Sequence, residues 1–248
     1  MSNAPQRLSL PSDLTPGKTS QMDDASVWVV IPAFNEAPRI EKTLTELLRH
    51  FSGTVVVVDD ASRDDTFARV GRFPVWLLRH PINCGQGAAL QTGIDFALRQ
   101  GADVIVTFDA DGQHDASEIA PLIGPVLSGE ADVALGSRFL GTARGIPLLR
   151  WLTLKLAILF TRLTSGLALT DVHNGFRAFS RHAAATIRIQ QPRMAHASEI
   201  LEEIARHRMR YREVPVTVTY LAETLEKGQS AWGALRITGH LLAGRIWK

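Results

Sequence analysis

The sequence predicts an α/β fold with a largely parallel sheet, and three features predict it. Short β-branched runs recur through the first half, stretches with apolar residues at helical spacing lie between them, and polar, often acidic, residues directly follow each run. Strands buried on both faces read as near-continuous Val/Ile runs, and parallel strands need helix-length crossovers between them.

Residues 27–31 (Val-Trp-Val-Val-Ile) form the first run and stop at Pro32, and residues 54–58 (Thr-Val-Val-Val-Val) repeat it before Asp59 and Asp60. Between them, residues 37–51 place Ile40, Leu44, Leu47, Leu48 and Phe51 at helical spacing. The alternation continues with a strand at 75–78, a helix at 87–99, a strand at 103–108, a helix at 116–127 and a strand at 133–135. The second half is less regular. It holds a basic, apolar segment at 146–169, a turn at Asn174-Gly175, a helix at 197–207, a strand at 213–220 and a final amphipathic helix at 230–247. Residues 1–26, rich in Ser, Pro, Asp and Gln without an apolar run, read as a flexible tail and not as a secretory signal. Residues 27–248 read as one domain, divided near residue 137 into two functional halves.

Composition narrows the function. The 248 residues are 45% apolar and 21% charged, with 27 basic against 25 acidic side chains, which excludes extensive disorder and a general nucleic-acid binder. The single cysteine, Cys84, excludes an intrachain disulfide framework and a cysteine-rich zinc site, and fits a reducing compartment. No stretch reaches the roughly 20 uninterrupted apolar residues needed to span a bilayer.

In parallel sheets ligands bind beyond the carboxyl ends of the strands, so function is sought in the residues that follow each run. Asp109-Ala110-Asp111-Gly112-Gln113-His114 follows one strand. Two carboxylates and an amide oxygen are hard ligands suited to Mg²⁺ or Mn²⁺, metals that commonly also bind substrate phosphates. The plainer alternative is an acidic loop that caps the next helix. Asp60 either accepts from a ribose hydroxyl or a base, or caps a helix; Asn35 and Glu36 either touch a nucleotide or start one.

Together, Pro32-x-x-Asn35-Glu36, Asp59-Asp60-x-Ser62, Asp109-x-Asp111-x-Gln113-His114, Gly136-Ser137-Arg138-Phe139 and Asn174-Gly175-Phe176-Arg177 resemble family 2 glycosyltransferases. More narrowly, they resemble the polyprenyl-phosphate (dolichyl-phosphate) mannose and glucose synthases. The resemblance runs over residues 27–248 and implies a GT-A fold, a Rossmann-like, mostly parallel sheet flanked by helices. It implies that Pro32, Phe34, Glu36 and Asp60 line the pocket of a nucleotide-sugar donor, a UDP- or GDP-sugar, in residues 27–137. It implies that Asp109, Asp111 and Gln113 hold Mg²⁺ or Mn²⁺ against the donor diphosphate, with Ala110 in the same loop. Arg138, Arg150 and Lys227 match positions that contact the acceptor phosphate in residues 138–248, which makes Asp109, Asp111 and Arg138 the expected catalytic set. The chain departs from the family at Phe34, where Tyr is usual, at Lys227, where Arg is usual, and at Ala231, where Lys is usual.

The implied reaction is inverting transfer of a hexose to a polyprenyl phosphate at the cytoplasmic face of a membrane. Two alternatives stay open: transfer to a sugar hydroxyl of a glycan, with Glu199 or Asp171 as the candidate base, and an inactive nucleotide-binding regulatory module. Residues 133–170 contain no acid, and Arg138, Arg144, Arg150, Lys155 and Arg162 lie there among Leu, Ile, Trp and Phe. That pattern fits an anionic membrane surface. Related enzymes without spans work beside a separate membrane protein, and such a partner is an expectation here.

Overall fold

The computed structural model describes residues 25–191 and 195–220. The expected tail before residue 25, the final helix and Lys227 lie outside the described residues. Seven strands form one sheet in the order β3-β2-β1-β4-β6-β5-β7. These are β1 (Val27–Ala33), β2 (Thr54–Asp59), β3 (Trp76–Arg79), β4 (Val104–Thr107), β5 (Val133–Arg144), β6 (Arg177–Ser180) and β7 (Tyr211–Thr219). The paired strands run parallel except β6, which is antiparallel to β4 and β5.

The β-branched runs become strands because both of their faces are covered. Trp28 and Val30 pack into the apolar layer formed with α3 (Gln86–Arg99), α6 (Arg181–Thr186) and α7 (His196–Arg206). Val29 and Ile31 point the other way, against Ile40, Leu44 and Leu47 of α1 (Ile40–His50) and Ile119, Leu122 and Val126 of α4 (Ile119–Leu127). The period of two in a strand thus feeds two cores. A short helix, α2 (Thr66–Val70), joins β2 to β3, and α5 (Leu148–Ser165) occupies the basic, apolar segment.

Several boundaries differ from the sequence expectation. β1 continues through Pro32 to Ala33, where it is paired with β2 alone and lies past its last β4 pair, Val30–Thr107. An edge position of this kind tolerates the missing N–H. β5 extends to Arg144 because a register shift between Ser137 and Thr142 lets it resume pairing with β7. The turn at Asn174-Gly175 leads into β6, a strand the sequence reading lacks.

Candidate active site

The carboxyl ends of β1, β2, β3 and β4 share one edge of the sheet, because the four strands are parallel. Antiparallel β6 starts at that same edge, with Arg177 paired to Thr107, so the Asn174–Arg177 segment is delivered to it as well. Thr107 Oγ1 donates to the Gly175 carbonyl at 2.6 Å and fastens the two together.

Asp109 follows β4. Gln86 Nε2 donates to its Oδ1 at 3.1 Å, and His114 Nε2 lies 3.0 Å from Oδ2. Burial pushes the Asp109 carboxyl up, but the His114 hydrogen bond and the charges of His114, His196 and Arg177 outweigh it and hold it below the ordinary value. The ionised carboxylate makes His114 Nε2 the donor and leaves its buried Nδ1 without a partner among the described residues. The His114 ring is packed against Phe108 and Phe176, which holds it in place. Gly175 sits so close behind Asp109 that a Cβ there would lie 2.9 Å from the carboxyl carbon.

Asp111 has the opposite environment. Burial and the charges of Asp109 and Glu36 push its carboxyl up to about 6. Two acids close enough to oppose each other's ionisation form a donor set that a divalent cation would stabilise, and the expected ligands Asp109 and Asp111 fit that group. Gly112, at φ 75°, turns the loop, and the Gln113 amide donates to Asp111 Oδ1 at 3.1 Å. Ala110 is buried, and its carbonyl accepts from Thr43 Oγ1 at 3.0 Å, which ties the loop to α1.

The loops after β1 and β2 are stitched to each other. Asn35, at φ 54°, accepts from the Arg63 amide, and its own amide donates to Ser62 Oγ; the Glu36 amide donates to Thr66 Oγ1 at 2.8 Å. Pro32 is buried, whereas Phe34 is exposed and Glu36 pairs with Arg39 at 3.0 Å. Asp60 is buried. Its Oδ1 accepts from the Cys84 amide and His80 Nδ1, and its Oδ2 accepts from the Gly85 amide at 2.7 Å. It therefore holds the loop that leads into α3, two elements away from the helix that follows it in sequence.

The two expected acceptor arginines meet on Tyr220. Arg138 is buried: Nε donates to Asp171 Oδ2 at 2.6 Å, and the other guanidinium nitrogens reach the Tyr220 hydroxyl and the His173 carbonyl. The Arg150 guanidinium lies over the Tyr220 ring, 4.9 Å from its centroid. His173 in turn lines a pocket with Gln86, Asp109, Arg177 and His196, which connects the arginine pair to the acidic loop. Burial lowers Arg177 to about 10, and its Nη1 and the Asn174 Nδ2 are buried donors without partners among the described residues.

The profile of glycosyl transferase family 2 matches residues 28–188. The chain is a family 2 glycosyltransferase. This transferase is 28% identical to a UDP-N-acetylglucosamine–dolichyl-phosphate N-acetylglucosaminyltransferase of Methanococcus voltae, over 92% of this chain and 99% of that one. It is 32% identical to an undecaprenyl-phosphate mannosyltransferase of Micrococcus luteus, over 77% of this chain and 82% of that one. Glucosyl-3-phosphoglycerate synthase of Mycobacterium tuberculosis, solved with Mn²⁺, UDP and phosphoglyceric acid, shares the GT-A fold. It superposes with a TM-score of 0.67 at 20% identity, covering 90% of this chain and 82% of that one.

The sequence reading missed Gln86, His80 and His196 as members of this region, and it named Arg177 only within the Asn174–Arg177 motif, without a role. Gln86 and His80 belong to the β3–α3 connection, whose residues have no chemical spacing to flag them. His114 was visible at the end of the Asp109–His114 motif, with no role attached to it.

Proposed function

We propose that this glycosyltransferase moves a hexose from a UDP- or GDP-sugar to a polyprenyl phosphate, with inversion at the sugar carbon, as a peripheral protein on the cytoplasmic face of a membrane. The observation that carries the choice of acceptor is the state of the two carboxylates a hydroxyl acceptor would need as a base. Asp171 is locked to Arg138 at 2.6 Å, and both Glu199 oxygens accept from backbone amides of Gln190 and Gln191. A lipid phosphate is already anionic and needs no proton removed, so positioning and charge stabilisation supply the rate.

In this reading Pro32, Phe34, Glu36 and Asp60 shape the nucleotide pocket. Asp109, Asp111 and Gln113 would hold Mg²⁺ or Mn²⁺, which when bound offsets the charge that develops on the leaving diphosphate. His114 and Gln86 orient Asp109. Arg150 presents its guanidinium to the acceptor phosphate from α5, and Arg138, whose nitrogens are taken by Asp171, Tyr220 and the His173 carbonyl, adds its charge through the knot on Tyr220; Lys227 joins them.

The outer face of α5 supports a lipid acceptor. Leu148 is 80% exposed, Leu149 62%, Leu152 51%, Leu156 61% and Leu159 56%, beside Arg150, Lys155 and Arg162. Apolar residues at this spacing with basic neighbours suit a helix lying in an anionic interface. Among the described residues no helix is long and apolar enough to cross a membrane. A separate membrane protein beside this face is part of the proposal.

Incubation with labelled UDP-glucose, UDP-N-acetylglucosamine or GDP-mannose, polyprenyl phosphate and Mg²⁺ or Mn²⁺ tests the reading. A lipid-extractable, acid-labile product is expected. Transfer only to a hydroxyl acceptor, or tight nucleotide binding with no product from any donor, would overturn it.

A further inference from the structure

A second cluster of ligating side chains, made of residues other than Asp109 and Asp111, lies on the same sheet edge. Asp60 follows β2, His80 follows β3, and Cys84 lies in the loop before α3. A carboxylate oxygen, an imidazole nitrogen and the thiol sulfur of these residues lie within 4.8 Å of one another. His80 Nδ1 and Asp60 Oδ1 are 2.7 Å apart, and His80 Nε2 is 2.9 Å from Thr92 Oγ1. Asp60 Oδ2 is held by the Gly85 amide, so the carboxylate is fixed. Cys84 is exposed, and its thiol donates a weak hydrogen bond to the Ile82 carbonyl at 3.4 Å.

We propose that Asp60, His80 and Cys84 form a second cation site, chemically distinct from the acidic loop, that takes a soft divalent ion such as Zn²⁺. Thiolate and imidazole select Zn²⁺, whereas the carboxylate and amide oxygens of Asp109, Asp111 and Gln113 suit Mg²⁺ or Mn²⁺. Three protein ligands with one of them exposed leave a fourth position for water.

The cation takes the place of the proton on His80 Nδ1, and the ring carries its proton on Nε2 instead, donating to Thr92 Oγ1. Thr92 is thus the outer partner that orients the ligating ring. The thiol proton leaves to solvent, so one proton is released per cation bound. Occupancy also draws the Asp60 carboxylate and the α3 loop into the coordination sphere at the rim of the donor pocket. Zn²⁺ therefore competes with the nucleotide sugar, a consequence that, unlike the site itself, rests on Asp60 lining that pocket.

The test is Co²⁺ titration of the full chain in saturating Mg²⁺, which keeps the acidic loop filled. The wild type shows a near-ultraviolet thiolate-to-cobalt charge-transfer band that Zn²⁺ abolishes, and Cys84→Ser, a substitution at an exposed position, lacks the band while keeping its Mg²⁺-dependent activity. No band in the wild type, or an equal band in Cys84→Ser, overturns the site. In the coupled assay, Zn²⁺ raises the apparent donor requirement of the wild type, and Cys84→Ser needs at least roughly tenfold more Zn²⁺ for the same effect. A cysteine-dependent band together with inhibition indifferent to donor concentration retains the site and overturns its reach into the nucleotide pocket.

Discussion

At the residue scale, the acidic loop holds two carboxylates with opposed environments. Asp111 is pushed up to about 6 from an ordinary 3.8, so between these values the native state keeps a proton that the unfolded chain has lost. Its contribution therefore favours the metal-free fold at low pH and is lost as pH rises through that window. Melts in chelator are expected to show Asp111→Asn more stable than wild type at about pH 7.5, with the gap about halved near pH 5 and closed only below about pH 4. The same variant should lose the Mg²⁺-induced rise in Tm and about 10²–10³-fold in turnover, because charge stabilisation at the leaving group is removed. Gly175→Ala would drive a methyl against the Asp109 carboxyl and is expected to weaken Mn²⁺ binding about 10–100-fold, as read by calorimetry. Arg138 belongs to a different balance. Arg138→Ala leaves the buried Asp171 carboxylate without a charge partner, held only by the backbone amides of residues 138 and 173, so urea unfolding should show a loss of about 3 kcal/mol, and adding Asp171→Asn should recover part of it.

At the scale of elements, α5 and β6 do what their sequences only partly announce. The cationic, apolar character of residues 146–169 is readable directly, and it becomes an exposed leucine ridge on α5, whose Leu154 and Ile158 face inward instead. Leu152→Glu with Leu156→Glu is expected to abolish co-sedimentation with anionic vesicles. Since both side chains are exposed, stability should shift by no more than about 0.5 kcal/mol each. β6 was not legible because Arg-Ala-Phe-Ser is only four residues and its partners are distant in sequence, Thr107 on one side and Leu135 on the other. Its antiparallel direction is what brings Gly175 and Arg177 behind Asp109. Asp60 shows the same limit. Capping the next helix was one reading of it, but its carboxylate instead holds His80 and the Cys84 and Gly85 amides in the loop before α3.

At the scale of the whole molecule, the loops proposed to hold donor, cation and acceptor converge because parallel strands place all their carboxyl ends on one edge. Ligands that bind only this assembled edge stabilise the native state by mass action. A nucleoside diphosphate with Mn²⁺ at 100 times its Kd adds about 2.7 kcal/mol, which corresponds to a rise in Tm of about 5–10 °C. Neither ligand alone should achieve the full shift, and additive separate shifts would argue against a shared site. The sequence by itself determined the α/β class, the first strands and helices, and the acids and arginines that belong to the edge. Those features are local: runs buried on both faces leave an apolar signature, and hard ligands at strand ends are readable in place. Only the tertiary structure decided which groups are already engaged. Asp171 and Glu199 are occupied, Arg138 is knotted to Tyr220, His114 braces Asp109, and Asp60, His80 and Cys84 stand together. Arg138 reaches Asp171 and Tyr220, and Asp60 reaches His80, across tens of residues, while His114 and Glu199 find partners within ten residues whose geometry the loop fold alone sets, so no spacing in the sequence carries these pairings.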